Sequence, residues 1–415
     1  MNLRKEIKLS DLLPKRRKKT AEVAEVEAAP KTEKPKRERK HRSLRPKRTA
    51  TPKVKRARTK GRAKKVVGLK VGASQIAAAR VVNNGAPQLV QIAREELDPG
   101  IVVGGELRES EELVDVLKRF FRKHKLPRQG VRLGISNNRI GVRTFEIAGI
   151  DDPKQLANAI KYRAQETLPI PIDEAVLDYH ILGERTDDEG VLHRRVLLVV
   201  AYRDLIDRYV AACKKAGIRL AGIDLEAFAL LRALAPQTAP EPAGSAVVVV
   251  SVGHDRTTFA VSDGHACQFT RVLDWGGRSL DEAIAKALDL SPSEAQPIKL
   301  TVSLAEPSIP AGLTSEQGEL VRQAVVREVH QFARELVSSL QFYQSQPGSL
   351  GIGEIVLTGG TAQLPGLATE LSRLLGVRAS VGDPLARVKV GKKVDQAQEL
   401  GSLTAAIGLG IESDA

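Results

Sequence analysis

The chain has 415 residues and a formal net charge of +15, and its length is sufficient for two or three domains with cores of their own. Its two cysteines and seven scattered histidines exclude a disulfide framework and a zinc site with the usual ligand spacing. The apolar runs are far shorter than the roughly 18 residues of a membrane-spanning helix, and we recognise no signal-peptide pattern. We therefore expect a reduced, cytosolic protein.

The positive charge belongs to an N-terminal tail. Residues 1–66 contain 26 Lys and Arg against 7 Asp and Glu, so the rest of the chain is slightly acidic. Residues 1–65 are predicted to be disordered, because they hold too few apolar side chains to offset the entropy lost on ordering. Nucleic acid and an anionic membrane are both candidate partners of the tail, and a solvated tail without a partner is the alternative. Each Lys or Arg near an anionic leaflet gains roughly 1 kcal/mol, so a weak attraction to a membrane is expected. Without aromatic residues to stack bases, it is not expected to bind a specific nucleic acid.

After the tail, the hydropathy pattern predicts an α/β protein. The predicted strands are 66–71, 75–82, 87–97, 131–136, 175–182, 191–201, 218–223, two within 246–261, and 354–357. The predicted helices are 111–125, 152–166, 204–216, 225–234, 280–288, 315–344 and one after Gly366. Residues 291–314, which are rich in proline, are predicted to be irregular. The strand that begins at Ala246 is apolar at successive positions, which is typical of a central strand buried on both faces.

Two segments repeat the pattern of strand, glycine turn and strand. The first turn lies at Gly72 and the second at Gly253, 181 residues later. Main-chain N–H groups beside such a glycine can approach a phosphate closely, and Thr257 and Thr258 would add hydroxyl donors at the second turn. The duplication suggests two similar lobes with a nucleotide between them, and two ordinary hairpins are the alternative.

A third glycine turn, Gly359-Gly360-Thr361, follows the strand 354–357. Glycines after a buried strand allow a flat ring or a phosphate to lie against the backbone, although they also occur in ordinary turns. In this order, the three turns resemble the phosphate-1, phosphate-2 and adenosine motifs of the actin-like ATPase superfamily.

A more specific resemblance is to the PilM family of type IV pilus assembly proteins, in the FtsA-like branch of that superfamily, and it covers about 66–412. It is carried by Glu166–Tyr179, Val196–Leu205, Ala216–Arg232, Ser339–Gln344 and Leu357–Gly360. The resemblance implies an α/β, actin-like (ribonuclease H-like) two-lobed fold with an inserted α+β subdomain. An FtsA-like cell-division protein tethered to the membrane is the alternative. That family ends in an amphipathic helix, which Leu409–Ala415 do not resemble.

The resemblance also implies a division of the chain. The parts are a basic tail at 1–65, lobe I at 66–136 and 217–244, an inserted subdomain at 137–216, lobe II at 245–390, and a C-terminal segment at 391–415 with a helix that packs on lobe I. The implied function is that of a scaffold at the inner face of the cytoplasmic membrane. Its implied main partner is the cytoplasmic N-terminal tail of a PilN-type membrane protein, and other pilus-machine proteins and self-association stay open.

The inserted subdomain is implied to hold the PilN-type tail in a groove. The predicted groove residues are Ile160, Tyr162, Ala164 and Leu198, and the alternative is that they form the core of the subdomain. Residues 7–15 of the tail loosely resemble the Leu-Leu-Pro segment of PilN tails. Competition between residues 7–15 and the PilN tail for this groove is a hypothesis.

The resemblance implies ATP or ADP, as a structural ligand, between the lobes. The candidate nucleotide-binding residues are Gly68, Lys70, Gly72, Ala73, Ser74 and Gln75 around the first turn, Ser251, Gly253, His254, Asp255, Thr257 and Thr258 around the second, and Gly276, Gly277, Gly359, Gly360 and Thr361 beyond them.

The chain departs from the superfamily at the acidic positions that organise Mg²⁺, two residues before each turn glycine. Lys70 and Ser251 stand there, and an ammonium group repels a metal that needs carboxylate and phosphate oxygens. Strand alternation places Lys70 on the face of Gly68 and Gly72, so we expect it to point to the site and to contact phosphate as a point charge. We favour a bound nucleotide that is scarcely hydrolysed, and neither a magnesium ion nor a catalytic residue is carried over. The alternatives are an empty site and an active ATPase or sugar-kinase-type phosphotransferase, in which Asp255 would recruit the metal.

Overall fold

The computed structural model describes residues 64–412, apart from 151, 168–170, 236–243, 306–308, 311, 347, 393 and 396–398. Residues 1–63 are not among the described residues. The predictions for the basic tail therefore lie outside the described residues, apart from residues 64 and 65, and so does the hypothesis about residues 7–15. The strands are β1 Lys64–Val71, β2 Gln75–Asn83, β3 Gln88–Glu96, β4 Val102–Val103, β5 Glu106–Leu107, β6 Gln129–Ile135, β7 Ile140–Ala148, β8 Ala175–Thr186, β9 Leu192–Tyr202, β10 Arg219–Leu225, β11 Ser245–Val252, β12 Thr257–Ser262, β13 Cys267–Leu273, β14 Gly351–Thr358, β15 Ala379–Val381 and β16 Lys389–Val390. The helices are α1 Ser110–Lys123, α2 Pro153–Thr167, α3 Arg203–Lys215, α4 Glu226–Leu234, α5 Gly277–Leu288, α6 Pro292–Lys299, α7 Ser315–Gln344, α8 Leu367–Leu375 and α9 Thr404–Gly410. Within the described ranges, none of these helices is both long and apolar enough to span a membrane.

The first sheet has the strand order β10-β6-β1-β2-β3-β16. β1, β2 and β3 form an antiparallel meander, and β6 and β10 extend the sheet in parallel from β1. The amphipathic α1 lies between β5 and β6 in the chain and buries its Leu117, Phe120 and Phe121 in the apolar core of this sheet. α3 buries Tyr209 and Cys213 in the same core, although it was predicted as part of the inserted subdomain.

The second sheet, β13-β12-β11-β14-β15, repeats this arrangement. β11, β12 and β13 form an antiparallel meander, and β14 and β15 extend the sheet in parallel from β11. Every residue of β11 is buried, which confirms the prediction of a central strand. The predicted bounds of the long helix are confirmed as well, since α7 begins after a capping box of Thr314 and Gln317 and ends at Gln344.

α4 and α9 lie between the two sheets. Leu230 of α4 packs in one apolar cluster with Val247 of the second sheet, and Ile407 of α9 packs in another with Ala79 of the first sheet. The two helices approach so closely that a Cβ at Gly408 would lie 1.8 Å from the carbonyl oxygen of Ala229. This helix pair therefore connects the two sheets through the centre of the molecule.

A third, antiparallel sheet has the order β7-β9-β8, and α2 covers one of its faces. The sequence predicted α2, β8 and β9 but missed β7, because Val142 is its one fully buried residue and the alternation is weak. β16 pairs with β3 in the first sheet, although residues 389–390 were predicted in lobe II. The domain boundaries as a whole stay predictions.

Further segments differ from the predictions, and β13 and β15 are strands that the sequence did not indicate. Residues 291–314 were predicted to be irregular, yet they contain α6, which starts with a capping box of Ser291 and Glu294. Pro292 is compatible with this start, because the first helical N–H has no partner within a helix. Residues 102–107 form the small hairpin β4–β5, which the sequence did not indicate.

Candidate functional site

The two glycine turns have the same backbone geometry. The Gly72 N–H donates to the carbonyl of Gln75 at 2.9 Å, and the Gly253 N–H donates to the carbonyl of Arg256 at 2.9 Å. Each turn joins the first antiparallel strand pair of its sheet. A Cβ would lie 3.2 Å from the accepting oxygen at Gly72 and 2.8 Å at Gly253, which explains the choice of glycine. The duplication predicted from the sequence is confirmed in the backbone.

Both turns line one cleft of about 680 Å³, counted with its space open to solvent. The predicted residues that line it are Lys70, Gly72, Ala73, Ser74, Gln75, Ser251, Gly253, His254, Asp255 and Thr258. The lining residues that the prediction missed are Val71, Val102, Gly105, Gly134, Ile135, Ser136, Tyr209, Glu226 and Arg256. The cleft thus takes its walls from the first and second sheets, the hairpin β4–β5 and the start of α4.

Two predicted nucleotide-binding residues have packing roles instead. A Cβ at Gly68 would lie 2.0 Å from the carbonyl oxygen of Ala406, so this glycine allows α9 to pack on β1. Gly68 shares a face with Lys70, as strand alternation predicted, but α9 covers that face at Gly68. Thr257 is fully buried, and its hydroxyl donates to the carbonyl of Trp275 at 2.8 Å. Neither residue lines the cleft.

Gly276, Gly277 and Thr361 support the second turn from behind. The Gly277 N–H and the Thr361 hydroxyl both donate to the carbonyl of Gly253, at 3.0 and 2.9 Å. A Cβ at Gly276 would lie 2.5 Å from the carbonyl oxygen of His254. These residues fix the turn that lines the cleft, and they do not line the cleft themselves.

Gly359 and Gly360 differ in what their positions require. Gly359 has φ +93°, and a Cβ there would lie 2.2 Å from the carbonyl oxygen of Val252, so the position accepts only glycine. A Cβ at Gly360 would meet nothing within 4 Å. The space beside Gly360 is therefore open, whereas Gly359 fixes the close approach of β14 to β11.

Lys70 forms an ion pair inside the cleft. Its Nζ lies 2.5 Å from Oε1 of Glu226, and the two side chains are 18% and 10% exposed. Glu226 is the first residue of α4 and follows β10 directly, so the ends of two strands of one sheet bring the pair together. Glu226 was not predicted as a site residue, because the site was sought at glycines that follow strands, although this carboxylate also directly follows a strand.

Arg256 places a second cation at the cleft. Its Nη2 lies 3.1 Å from Oδ1 of Asp274, while Nε and Nη1 are buried with no hydrogen-bond partner among the described residues. The guanidinium lies against the hairpin β4–β5, since a Cβ at Gly104 would be 2.6 Å from Nη2. A buried N–H group without an acceptor is costly, so this site is suited to an acceptor-rich ligand.

Two hydrogen bonds cross the cleft from lobe I to lobe II. Oδ2 of Asp255 accepts from the Gly104 N–H at 3.0 Å, and the hydroxyls of Ser136 and Thr258 lie 2.8 Å apart. One carboxylate oxygen of Asp255, which the sequence proposed as a metal recruiter, is therefore already used by the hairpin.

The ionisable groups behind the second turn have shifted pKa values. Burial and the nearby Lys299 lower the pKa of His254, which favours its neutral imidazole. Burial raises the pKa of Asp281, although Lys299 Nζ lies 2.7 Å from its Oδ2. With His254 neutral, the cations that line the cleft among the described residues are Lys70 and Arg256.

The four predicted groove residues divide into core and surface. Ile160, Ala164 and Leu198 are 2%, 0% and 0% exposed and pack between α2 and the third sheet. A peptide could touch them only if α2 moved away, so these three are core residues. Tyr162 is 64% exposed and is the one member of the set whose side chain is open to a partner.

Another cavity, of about 670 Å³ counted with its open space, lies where the third sheet meets the first sheet and α4. Its lining residues are Ile135, Asp178, Tyr179, His180, Leu197, Val199, Ala201, Ile223, Asp224, Leu225 and Phe228. Apolar side chains therefore line most of it, and two carboxylates and a histidine supply polar groups. We refer to this cavity as the subdomain groove.

Comparisons with known proteins agree with this architecture. The sequence profile described as type IV pilus assembly protein PilM matches residues 68–414. The chain belongs to the PilM family. A solved structure described as a PilM–PilN type IV pilus biogenesis complex is similar with a TM-score of 0.70 and 25% sequence identity, over 83% of this chain and 97% of that chain. The predicted actin-like fold and the predicted resemblance to the PilM family are confirmed.

Curated relatives include the cell division protein FtsA. The protein from Escherichia coli K12 is 27% identical over 227 residues, which is 50% of this chain and 52% of FtsA. The protein from Streptococcus pneumoniae D39 is 25% identical over 203 residues, which is 46% of this chain and 44% of that FtsA. The chain spans about half the length of these relatives, whereas the PilM profile covers nearly all of the described residues.

Proposed function

We propose that this member of the PilM family is a scaffold that binds a nucleotide between its lobes and the N-terminal tail of a PilN-type membrane protein in the subdomain groove. Such a scaffold works at the cytoplasmic face of the membrane that carries its partner. The observation that carries the nucleotide assignment is the pair of equivalent glycine turns, at Gly72 and Gly253, on opposite walls of one cleft.

The residues of the cleft fit the phosphates of ATP or ADP. Turns of this type present main-chain N–H groups to an anion, and Ser74, Ser251 and Thr258 add hydroxyls. Lys70 supplies a positive charge, and the phosphates would provide acceptors for the unpaired Nε and Nη1 of Arg256. In this proposal the nucleotide clamps the two lobes and is scarcely hydrolysed.

The subdomain groove fits a short peptide with apolar anchors. Leu197 and Val199 of β9 line it from one side, and Ile223 and Phe228 line it from the other. Such a groove gains free energy by removing apolar side chains of the peptide from water. The similarity to a solved PilM–PilN complex supports a peptide of this kind.

The nucleotide content of the purified full-length protein tests the first part. The protein is denatured, and the supernatant is separated by anion-exchange chromatography. Intact ATP or ADP at a ratio near one per chain supports the clamped scaffold. If no nucleotide is released, and calorimetry with ATP and ADP shows no binding to the native protein, the nucleotide assignment is wrong.

Binding of a synthetic PilN-type tail peptide tests the second part, with two matched leucine variants of β9. Leu197→Ala shortens an apolar groove residue that we expect to contact an anchor of the peptide, so its affinity should fall about tenfold. Leu192→Ala makes the same change at the far end of the strand, outside the groove, and should bind as the unchanged protein does. Equal affinities for both variants, with a loss in Tyr162→Ala instead, would place the peptide on the exposed side of α2.

A further inference from the structure

The cleft has a positive charge, Lys70, at one of the two positions where a metal-dependent site needs a carboxylate, and a second positive charge, Arg256, at the other turn. Lys70 precedes the first turn by two residues and is held at the cleft wall by Glu226. The carbonyl of Arg256 accepts the hydrogen bond from the Gly253 N–H, so Arg256 is itself a residue of the second turn. One cation therefore belongs to each turn.

Each of the two acidic side chains that line the cleft already has a partner at one of its oxygens. Oε1 of Glu226 is paired with Lys70, and Oδ2 of Asp255 accepts from the Gly104 N–H. No group of three or more His, Cys, Asp or Glu side chains suited to a metal ion occurs among the residues that the structure describes. Magnesium prefers an octahedron of oxygens that includes one or two carboxylates. Glu226 is a carboxylate at the cleft wall, but the Lys70 ammonium lies beside it and would repel a metal ion there.

We propose that this cleft binds the phosphates of a nucleoside diphosphate or triphosphate without a divalent cation, through Lys70 and Arg256. The inference rests on the proposed nucleotide site and adds that these two cations neutralise the phosphates in place of a divalent metal ion. Glu226 is a positioning residue, because it holds the Lys70 ammonium at the end of β1. Arg256 contributes Nε and Nη1, which have no other acceptor in the described part of the chain.

No metal ion is needed in this proposal, because the Lys70 ammonium and the Arg256 guanidinium neutralise the phosphate charge from fixed positions. A metal ion has to be recruited with its waters, whereas both side chains are anchored by carboxylates before the ligand arrives. Charge-assisted hydrogen bonds to phosphate are about twice as strong as neutral ones, and they require no metal. Affinity should therefore depend on the β-phosphate and be insensitive to the removal of Mg²⁺.

Calorimetry on the full-length protein, freed of bound nucleotide, tests this with ADP and AMP as probes. We expect Kd for ADP in excess EDTA to lie within about twofold of Kd in excess MgCl₂, and AMP to bind at least tenfold more weakly than ADP. If ADP binds only in MgCl₂, the metal-free site is wrong and the nucleotide scaffold stands. If ADP binds under neither condition, the proposed nucleotide function itself fails.

Variants identify the two cations. Lys70→Met alone would leave Glu226 buried and unpaired, so the change is made together with Glu226→Leu, which keeps the fold testable. We expect this double variant, and separately Arg256→Met, to lose about tenfold or more in ADP affinity in EDTA, with a smaller loss for AMP. Unchanged ADP affinity in both would overturn the assignment.

Matched controls remove the same charges outside the cleft. Lys65→Met changes an exposed lysine at the start of the same strand, and Arg278→Met changes an arginine whose side chain is 55% exposed. Both should keep the ADP affinity of the unchanged protein. Equal losses in these controls would show that the affinity follows the total charge of the protein, and the assignment to Lys70 and Arg256 would then be wrong.

Discussion

The two glycine turns are alike in backbone and different in the charges around them. In both turns the glycine N–H donates to the carbonyl of the residue three positions later in the chain. Both turns join two antiparallel strands, and a parallel strand pairs with the other side of the first of these strands. At the first turn the cation, Lys70, lies on the strand before the turn and is paired with the buried carboxylate of Glu226. At the second turn the cation stands on the turn and is paired with Asp274, which is 70% exposed. The comparison shows that main-chain geometry was duplicated while each half anchors its charge differently.

The largest expected difference concerns the two carboxylate partners. Glu226→Ala leaves the Lys70 ammonium buried and unpaired, so we expect the free energy of unfolding to fall by about 3 kcal/mol. Asp274→Ala removes an exposed partner and should cost less than about 1 kcal/mol. Urea denaturation of nucleotide-free protein measures both. Equal costs at the two positions would show that the burial of the Lys70 pair has no energetic consequence.

The second difference concerns the space at the two turn glycines. Gly253→Ala puts a Cβ 2.8 Å from a backbone oxygen and Gly72→Ala puts one 3.2 Å away. We expect a loss of roughly 2 kcal/mol at Gly253 and about 1 kcal/mol at Gly72. Denaturation midpoints of the two single variants decide the order. A larger loss at Gly72 would contradict the tighter packing of the second turn.

A smaller effect is expected from the hydrogen bond that joins Asp255 to the hairpin β4–β5. Asp255→Asn keeps the shape and removes the charge, so the bond from the Gly104 N–H should weaken by about 1 kcal/mol. Hydrogen exchange of residues 102–107 should become faster, while Asp115→Asn, which changes a 76% exposed carboxylate on α1, should leave it unchanged. If exchange does not respond to Asp255→Asn, the hairpin is held by its other contacts.

The smallest expected effect is a pH dependence specific to the second turn. Burial lowers the pKa of His254 in the folded state, whereas the unfolded state has the ordinary value near 6.5. The unfolded chain therefore binds the proton first, so stability falls as the pH drops through about 6.5 and levels off below the lowered folded pKa.

His254→Gln should flatten this part of the stability curve, measured by urea denaturation across the pH range. His265→Gln, on an exposed loop of the same sheet, is the matched control and should retain the slope. A slope that survives in His254→Gln would assign the effect to another group.

Much of the fold could be predicted because the elements have strong local patterns. The predicted bounds of α7 agree with the structure to the residue, and the buried strand β11 was evident from its unbroken apolar run. β7 and α6 were missed for opposite reasons. β7 buries too few residues to produce a clear alternation, and the prolines around α6 hid a helix that its capping box starts.

The candidate site was predicted unevenly. The turn residues were found because a glycine after a strand is a local signal, and ten of the predicted residues line the cleft. Thr257 and Ile160 were assigned to ligands although they are buried, because sequence spacing does not show which neighbours cover a side chain. Arg256 was passed over as part of a polar turn.

The sequence by itself determined the two glycine turns, the central strands and the membership in a two-lobed family, because these depend on local backbone geometry and on apolar patterns along the chain. Only the tertiary structure decided that Glu226 meets Lys70, 156 residues away, and that Gly104 meets Asp255. Such pairs are set by which strand ends come together in a sheet and by how the lobes close. The ion pair inside the cleft and the hydrogen bond across it are therefore properties of the folded chain.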